Sequence, residues 1–123
     1  MIISRSKISN NYISTWQDMQ NFTLNRNPDT PDEIWFAEHY PIFTLGKNSD
    51  ERHLIKPGNI PVIKTDRGGQ ITYHGPGQLM VYPLIDLRRM EINVRNLINA
   101  LEKSIITFIK DFGFQVQGGG NLP

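Results

Sequence analysis

The chain has 123 residues, 38% of them apolar and 20% charged, with a net charge of +1 from 13 basic and 12 acidic side chains. That length fits one domain, residues 1–123, able to bury a core, and the balanced charge offers no basic face for nucleic acid. No apolar run approaches the ~20 residues of a membrane span and residues 1–7 lack the apolar region of a signal peptide, so a cytoplasmic location is expected.

Ile13, Trp16, Met19 and Phe22 recur every three residues, which predicts a helix over residues 13–26 with its stripe turned to the core. Ser14 or Thr15 is the expected cap, and Thr15 with Asp18 forms a loose capping-box pattern. Residues 27–32, with two prolines, break the helix. Residues 33–38 read as a strand, continued by residues 42–46 after Tyr40 and Pro41. Residues 47–60 form a long polar loop with two open readings, a lid or binding loop and a plain surface excursion. Residues 61–65 and 78–85 read as strands on either side of a glycine-rich centre. From Asn93, a natural cap, the residues Val94, Leu97, Ile98, Leu101, Ile105, Phe108, Ile109 and Phe112 repeat at spacings of three and four, and Gly113 sits at the C′ position. A further strand is expected at 114–116, then a glycine turn at 118–123. Strands mixed with helices predict an α+β (mixed α/β) sheet with helices on one face.

The centre, residues 65–78, concentrates the chemistry. It reads as strand, glycine turn, short strand, glycine-proline turn, strand. Paired glycines allow φ > 0 or close backbone approach to a ligand, and Arg67 and His74 bracket that bare backbone with a fixed charge and a group that titrates near neutrality. Backbone N–H groups near Arg67, Gly68 and Gly69 suit an anion or a carbonyl oxygen. Alternation puts Ile71 and Tyr73 on one strand face and Thr72 and His74 on the other. An acyl chain of eight carbons laid on such a wall gains ~6 kcal/mol at ~0.8 kcal/mol per CH₂. A tight hairpin whose glycines serve only the turn remains the alternative.

Other chemistries fit less well. His39, His53 and His74 lie 14 and 21 residues apart, without the i, i+4 spacing of a helical metal site, so no metal is expected. Gly75-Pro76-Gly77 starts like a dinucleotide fingerprint, but Met80 replaces the third glycine and a strand follows instead of a helix. There is no Gly-x-Ser-x-Gly elbow, and there is no cysteine, which excludes disulfides and a thiol nucleophile within these residues.

Residues 67–78, RGGQITYHGPGQ, resemble the signature of the lipoyl(octanoyl) transferase (LipB) family. The likeness extends through TPDEIW at 30–35, EHYPIFTLG at 38–46 and YPLIDLR at 82–88 to the long helix, covering nearly all of the chain from about residue 15. Lipoate ligases that use ATP share the fold but carry a motif closer to Gly-Gly-Gly-x-x-Tyr-His-Asp.

The resemblance implies a biotin/lipoate protein ligase-like mixed sheet and transfer of an octanoyl group, without a cofactor. The donor would be octanoyl-acyl carrier protein. The acceptors would be lysines of lipoyl domains in 2-oxoacid dehydrogenase complexes and of the glycine cleavage H protein. It implies that Arg67, Gly68, Gly69, Gln70, Ile71, Thr72, Tyr73 and His74 line the acyl-substrate pocket, Gly68 and Gly69 as its backbone and Ile71, Thr72 and Tyr73 as its walls, with His74 close to the reacting thioester. His39 is a second-tier site residue or a hydrogen-bonded structural histidine. The family's thiol nucleophile and activating lysine fall beyond residue 123, and Lys47, Lys56, Lys64, Lys103 and Lys110 all lie outside the matching context. A C-terminally truncated, catalytically incomplete member is therefore expected, with a non-catalytic acyl-chain or acyl-carrier-protein binding fragment as the alternative. Missing strands would leave a sheet edge open to self-association.

Overall fold

Two parallel strand pairs set the plan of the chain. The computed structural model describes residues 1–7, 11–54 and 57–119, which divide into two compact units, Met1–Ile85 and Asp86–Pro123. In the first unit, β1 (Ile2–Lys7) lies parallel to β2 (Asp32–Ala37), with Ile2 opposite Asp32. Parallel neighbours need a crossover of a dozen or more residues, and α1 (Tyr12–Asn25) lies within it. β2 also pairs antiparallel with β6 (Met80–Leu84), where Trp35 faces Tyr82. Pro83 is tolerated there because β6 is an edge of its sheet among the described residues.

The second sheet is centred on β3 (Ile42–Leu45), parallel to β4 (Val62–Lys64) on one side and antiparallel to β5 (Ile71–His74) on the other. The long loop after β3 is thus the crossover that a parallel pair requires, and it carries one 3₁₀ turn at Glu51–His53, capped by the Asp50 carboxylate. The two glycine turns do not make a hairpin. The first returns the chain from one edge of β3 to the other, and the second carries it from β5 into the other sheet.

Several local expectations change. Residues 33–38 and 42–46 do not form one continued strand; β2 and β3 belong to different sheets. Residues 2–7 form a strand that the sequence reading left unassigned, because its polar alternation carries no core face. The α1 cap is Asn11, whose Oδ1 accepts from the Ser14 N–H at 3.0 Å, rather than Ser14 or Thr15. Thr15 is buried, while Trp16, Met19 and Phe22 are half-buried and Ile13 is exposed. No strand forms at 114–116; residues 114–119 have no regular structure, and residues 120–123, where the final turn was expected, lie outside the described residues.

The apolar core of the first unit is small. Trp35, Ala37, Ile42 and Leu45 are its buried apolar side chains among the described residues, beside the polar Thr15, Asp32, Glu33, His39, Thr44, Thr65 and His74. Buried polar groups need partners, and the two carboxylates have them. The Glu33 carboxylate accepts from Trp35 Nε1 at 2.6 Å and Arg5 Nε at 2.7 Å. Asp32 takes Arg26 Nη2 at 2.7 Å, and the Arg26 guanidinium lies over the Phe22 ring, which also meets Trp35 edge-on.

The second unit contains α2 (Val94–Asp111). Asn93 and Asn96 exchange side-chain-to-backbone bonds in a reciprocal capping box, and Gly113 ends the helix at φ 86° with its N–H on the Lys110 carbonyl. On its apolar row Ile98 is 57% exposed and Leu97 and Ile109 are half-buried, and Phe112 at the C-cap is 66% exposed. No helix among the described residues is long and apolar enough to cross a membrane.

Trp35→Phe keeps a ring against Phe22 but removes one donor from the buried Glu33 carboxylate. A loss of ~1–3 kcal/mol is expected from urea unfolding, and an unchanged midpoint would mean the indole N–H contributes nothing.

Candidate active site

The site grows out of β3. Alternation along this short strand turns Thr44 inward, and it is fully buried at 0% exposure. β5 runs antiparallel with Thr72 opposite Thr44, and His74 stands opposite Ile42 at the strand end. The segment between β4 and β5 must cross over the end of β3. Gly46 makes that crossing possible, because a Cβ there would collide with the Gly69 carbonyl oxygen. The close approach is secured by Gly46 N–H on the Gln70 carbonyl at 3.2 Å and Lys47 N–H on the Arg67 carbonyl at 2.8 Å. Gly69 takes φ 85°, a conformation that costs a residue with a Cβ.

Arg67 folds back into its own turn. Its Nε donates to Thr44 Oγ1 at 3.1 Å, and Nη2 donates to Thr44 Oγ1 and to the carbonyls of Thr44 and Gln70, each of these at 2.7–2.8 Å. Nη1 donates to the Gly68 carbonyl at 2.8 Å. The positive charge that the sequence offers to a ligand is therefore largely engaged by backbone carbonyls. A trans peptide points its N–H opposite its C=O. With the Gly68 carbonyl drawn to the guanidinium, the Gly69 N–H is directed away from it.

His74 is 6% exposed and has both ring nitrogens in contact with the frame. Nδ1 lies 2.8 Å from Gln78 Oε1, and Nε2 lies 3.4 Å from Thr44 Oγ1. Tyr12, at the start of α1, stacks on the imidazole at 5.7 Å between centroids and 10° between planes. His39, 1% exposed just past β2, meets Tyr12 edge-on and lies 6.2 Å from His74. Its Nε2 is 2.8 Å from the Tyr82 hydroxyl on β6. The two histidines thus meet where the two sheets and α1 come together.

Of the residues expected at the site, Arg67, Gly68, Gln70 and His74 are joined by these bonds, and His39 belongs to the same cluster. Ile71 is half-buried opposite Leu45. Thr72 and Tyr73 are exposed, the latter packed on Phe43 at 5.5 Å. Asp66, one residue before Arg67, borders an open groove of about 510 Å³ with Trp16, Met19 and Leu24 of α1. Among the described residues no group of three or more His, Asp or Glu could hold a metal ion.

Sequence reasoning missed Tyr12, Thr44, Gln78 and Tyr82. Tyr12 falls outside the three-residue stripe, and Thr44 reads as an ordinary β-branched strand residue. Gln78 was legible as part of the motif, but its bond to His74 was not. Burial pushes the Tyr82 phenol well above its ordinary value, with Tyr12 adding to the rise. The Tyr12 phenol is raised by burial too, against the lowering effect of the Arg67 charge.

Two outcomes follow from this geometry. Gly46→Ala forces the Arg67–Gln70 turn off β3 at an expected cost of ~1–3 kcal/mol, and hydrogen exchange at the Lys47 amide should accelerate. Protection equal to the native chain would show that the turn does not depend on this approach. For Tyr82 the sign is set by its raised value in the folded chain. Below pH 10.0 both states keep the phenol proton; above it the unfolded chain releases the proton first, so stability falls as pH rises. Thermal midpoints between about pH 8 and 12 should fall less steeply in Tyr82→Phe than in the native chain, and parallel curves would contradict the burial.

The chain matches the lipoyl protein ligase A/B catalytic domain family over residues 11–121. It is 52% identical over 104 residues to a protein of Cellvibrio japonicus (strain Ueda107) named octanoyltransferase, covering 85% of this chain and 48% of that one. Proteins of the same name from Shewanella amazonensis and Methylococcus capsulatus are 47% and 46% identical over 112 residues, 91% of this chain and 52% and 54% of theirs. The chain thus spans about half the length of these curated relatives. Among solved structures, protein Ta0514 of T. acidophilum, put forward as a lipoate protein ligase, superposes at a TM-score of 0.63 and 12% identity, covering 99% of this chain and 53% of that one. That likeness supports the mixed α/β, lipoate-ligase-like fold. The chain belongs to the lipoyl protein ligase A/B catalytic domain family.

Proposed function

We propose that these residues are the substrate platform of an octanoyltransferase. That enzyme would carry an octanoyl group from octanoyl-acyl carrier protein to a lysine of a lipoyl domain, in 2-oxoacid dehydrogenase complexes or the glycine cleavage H protein, without a cofactor. The reading places the enzyme in the cytoplasm and treats the chain as the N-terminal part of one catalytic domain. The observation that carries it is the identity of 46–52% to relatives named octanoyltransferase, over a chain whose RGGQITYHGPGQ motif supplies most of the hydrogen-bonded cluster.

On this reading the Gly68–Gly69 backbone faces the acyl carbonyl, with the Gly69 N–H as the donor that Arg67 leaves outward. Ile71, Thr72 and Tyr73 supply the wall and His74 borders the thioester. His74 acts here by holding position, since both its ring nitrogens face Gln78 and Thr44. His39 braces it from the end of β2, in the first sheet. The groove of Trp16, Met19 and Leu24 beside Asp66 offers apolar surface for the chain of the acyl group. Thioester exchange needs a thiol to attack the acyl carbonyl, and these 123 residues contain no cysteine. The thiol and the lysine that activates it are assigned to sequence outside them.

Mixing the chain with octanoyl-acyl carrier protein tests the reading. Intact-mass analysis should find no stable acyl adduct on the chain, while calorimetry finds tighter binding of the octanoylated carrier than of the carrier without an acyl group. Equal affinities would remove the platform assignment, and a stable adduct would overturn the placement of the nucleophile. Sedimentation of the same sample reads the self-association proposed for the exposed sheet edges, which a strict monomer would refute.

A further inference from the structure

We infer that Thr44 is the positioning residue of this site: its hydroxyl joins the two glycine turns around β5 into one frame and fixes His74 as the Nδ1–H tautomer. The inference rests on the proposed function only for what the frame positions; the frame itself follows from hydrogen-bond chemistry.

Gln78 settles one end. Its Nε2 donates to the Tyr73 carbonyl at 3.2 Å, and its Oε1 faces His74 Nδ1 at 2.8 Å. Rotating the amide would set its oxygen against the carbonyl oxygen of Tyr73, two acceptors with no proton between them. Oε1 therefore faces the imidazole, and an amide oxygen can only accept. Nδ1 must carry the proton.

Thr44 settles the other end. Its Oγ1 has two lone pairs and one proton. Arg67 donates to it twice, from Nε at 3.1 Å and Nη2 at 2.8 Å, and a guanidinium cannot accept in return. The hydroxyl proton is left to donate, and the imidazole Nε2 stands 3.4 Å away. In the neutral ring with Nδ1 protonated, Nε2 is the nitrogen with a lone pair. The Gln78 end demands this tautomer, and the Thr44 hydroxyl is satisfied by it.

The consequence is mechanical. Arg67 ties the carbonyls of Gly68 and Gln70, so the first glycine turn hangs on Thr44. His74 and Gln78 lie on either side of Gly75-Pro76-Gly77, so the second turn is tied to the same oxygen, while the Glu38 carboxylate accepts from its Gly77 N–H at 3.1 Å. One buried hydroxyl on the central strand thereby links the two turns across β5. For an acyl substrate on the first turn, Thr44 holds the backbone donors in place without touching the substrate.

Nitrogen-15 NMR of the imidazoles in the native chain, in the neutral range, reads the tautomer directly. The expected pattern for His74 is a protonated, pyrrole-like Nδ1 and an imine-like Nε2; an Nε2–H pattern, or signals averaged between tautomers, overturns the inference. In Thr44→Val the Nε2 resonance should shift toward an imine nitrogen lacking a donor. Amide exchange should quicken by about tenfold or more at both turns, read at Lys47, whose N–H donates to the Arg67 carbonyl, and at Gln78, whose N–H donates to the Gly75 carbonyl, as charge-assisted bonds to the hydroxyl are lost. Thr44→Ser should restore both. A response in only one turn, or none, refutes the shared frame. Where Thr44→Val does not fold, the native tautomer and the native-like behaviour of Thr44→Ser remain decisive. None of these readouts depends on octanoyl transfer, so the frame and the proposed activity stand or fall separately.

Discussion

The contact on which the first unit depends is the Arg67 guanidinium closed over the Thr44 hydroxyl and carbonyl. β3 pairs on both sides, so the chain must cross its end between β4 and β5 with a short, glycine-rich turn. Such a turn has no regular ladder to satisfy its carbonyls, and exposed glycines add conformational entropy that folding must overcome. Arg67 answers both demands at once. It accepts nothing, donates in a rigid planar fork, and gathers carbonyls from three residues around one charge. Lysine, a flexible point charge, would not organise them in the same way.

Around this contact the molecule uses polar burial where a larger protein would use apolar mass. Four buried apolar side chains among the described residues are a modest core. The rest is held by buried carboxylates matched to arginine or indole donors, and by a histidine pair wedged between tyrosines from α1 and β6. Networks of this kind are specific because each donor has a required acceptor, and a partly satisfied version costs more than an apolar replacement. The arrangement suits a site that must hold backbone groups at fixed spacing. The raised phenols of Tyr12 and Tyr82 express the same burial.

Local signals were legible where one residue type does one job. Asn93 before an apolar-periodic run and Gly113 after it mark the ends of α2, and the structure has both, because capping is decided within a single turn of backbone. The motif at 67–78 was legible as a site because glycine pairs beside arginine and histidine are uncommon in plain turns. The cap of α1 was misread for a physical reason: Asn11, Ser14 and Thr15 can all cap, and tertiary burial of Thr15 selected Asn11. Residues 114–116 have strand composition but no paired neighbour, and β propensity without a partner does not make a strand.

What the sequence by itself determined is the family, the sites of the turns and the identity of the chemically distinctive residues, since these depend on side chains adjacent in the chain. Only the tertiary structure decided what Arg67 and His74 do. Their chemistry invites a ligand, yet their hydrogen bonds run inward to Thr44, a residue 23 and 30 positions away that carries no mark in the sequence. Strand pairing brought that hydroxyl to them, and pairing between distant segments follows from burial and register rather than from any local pattern.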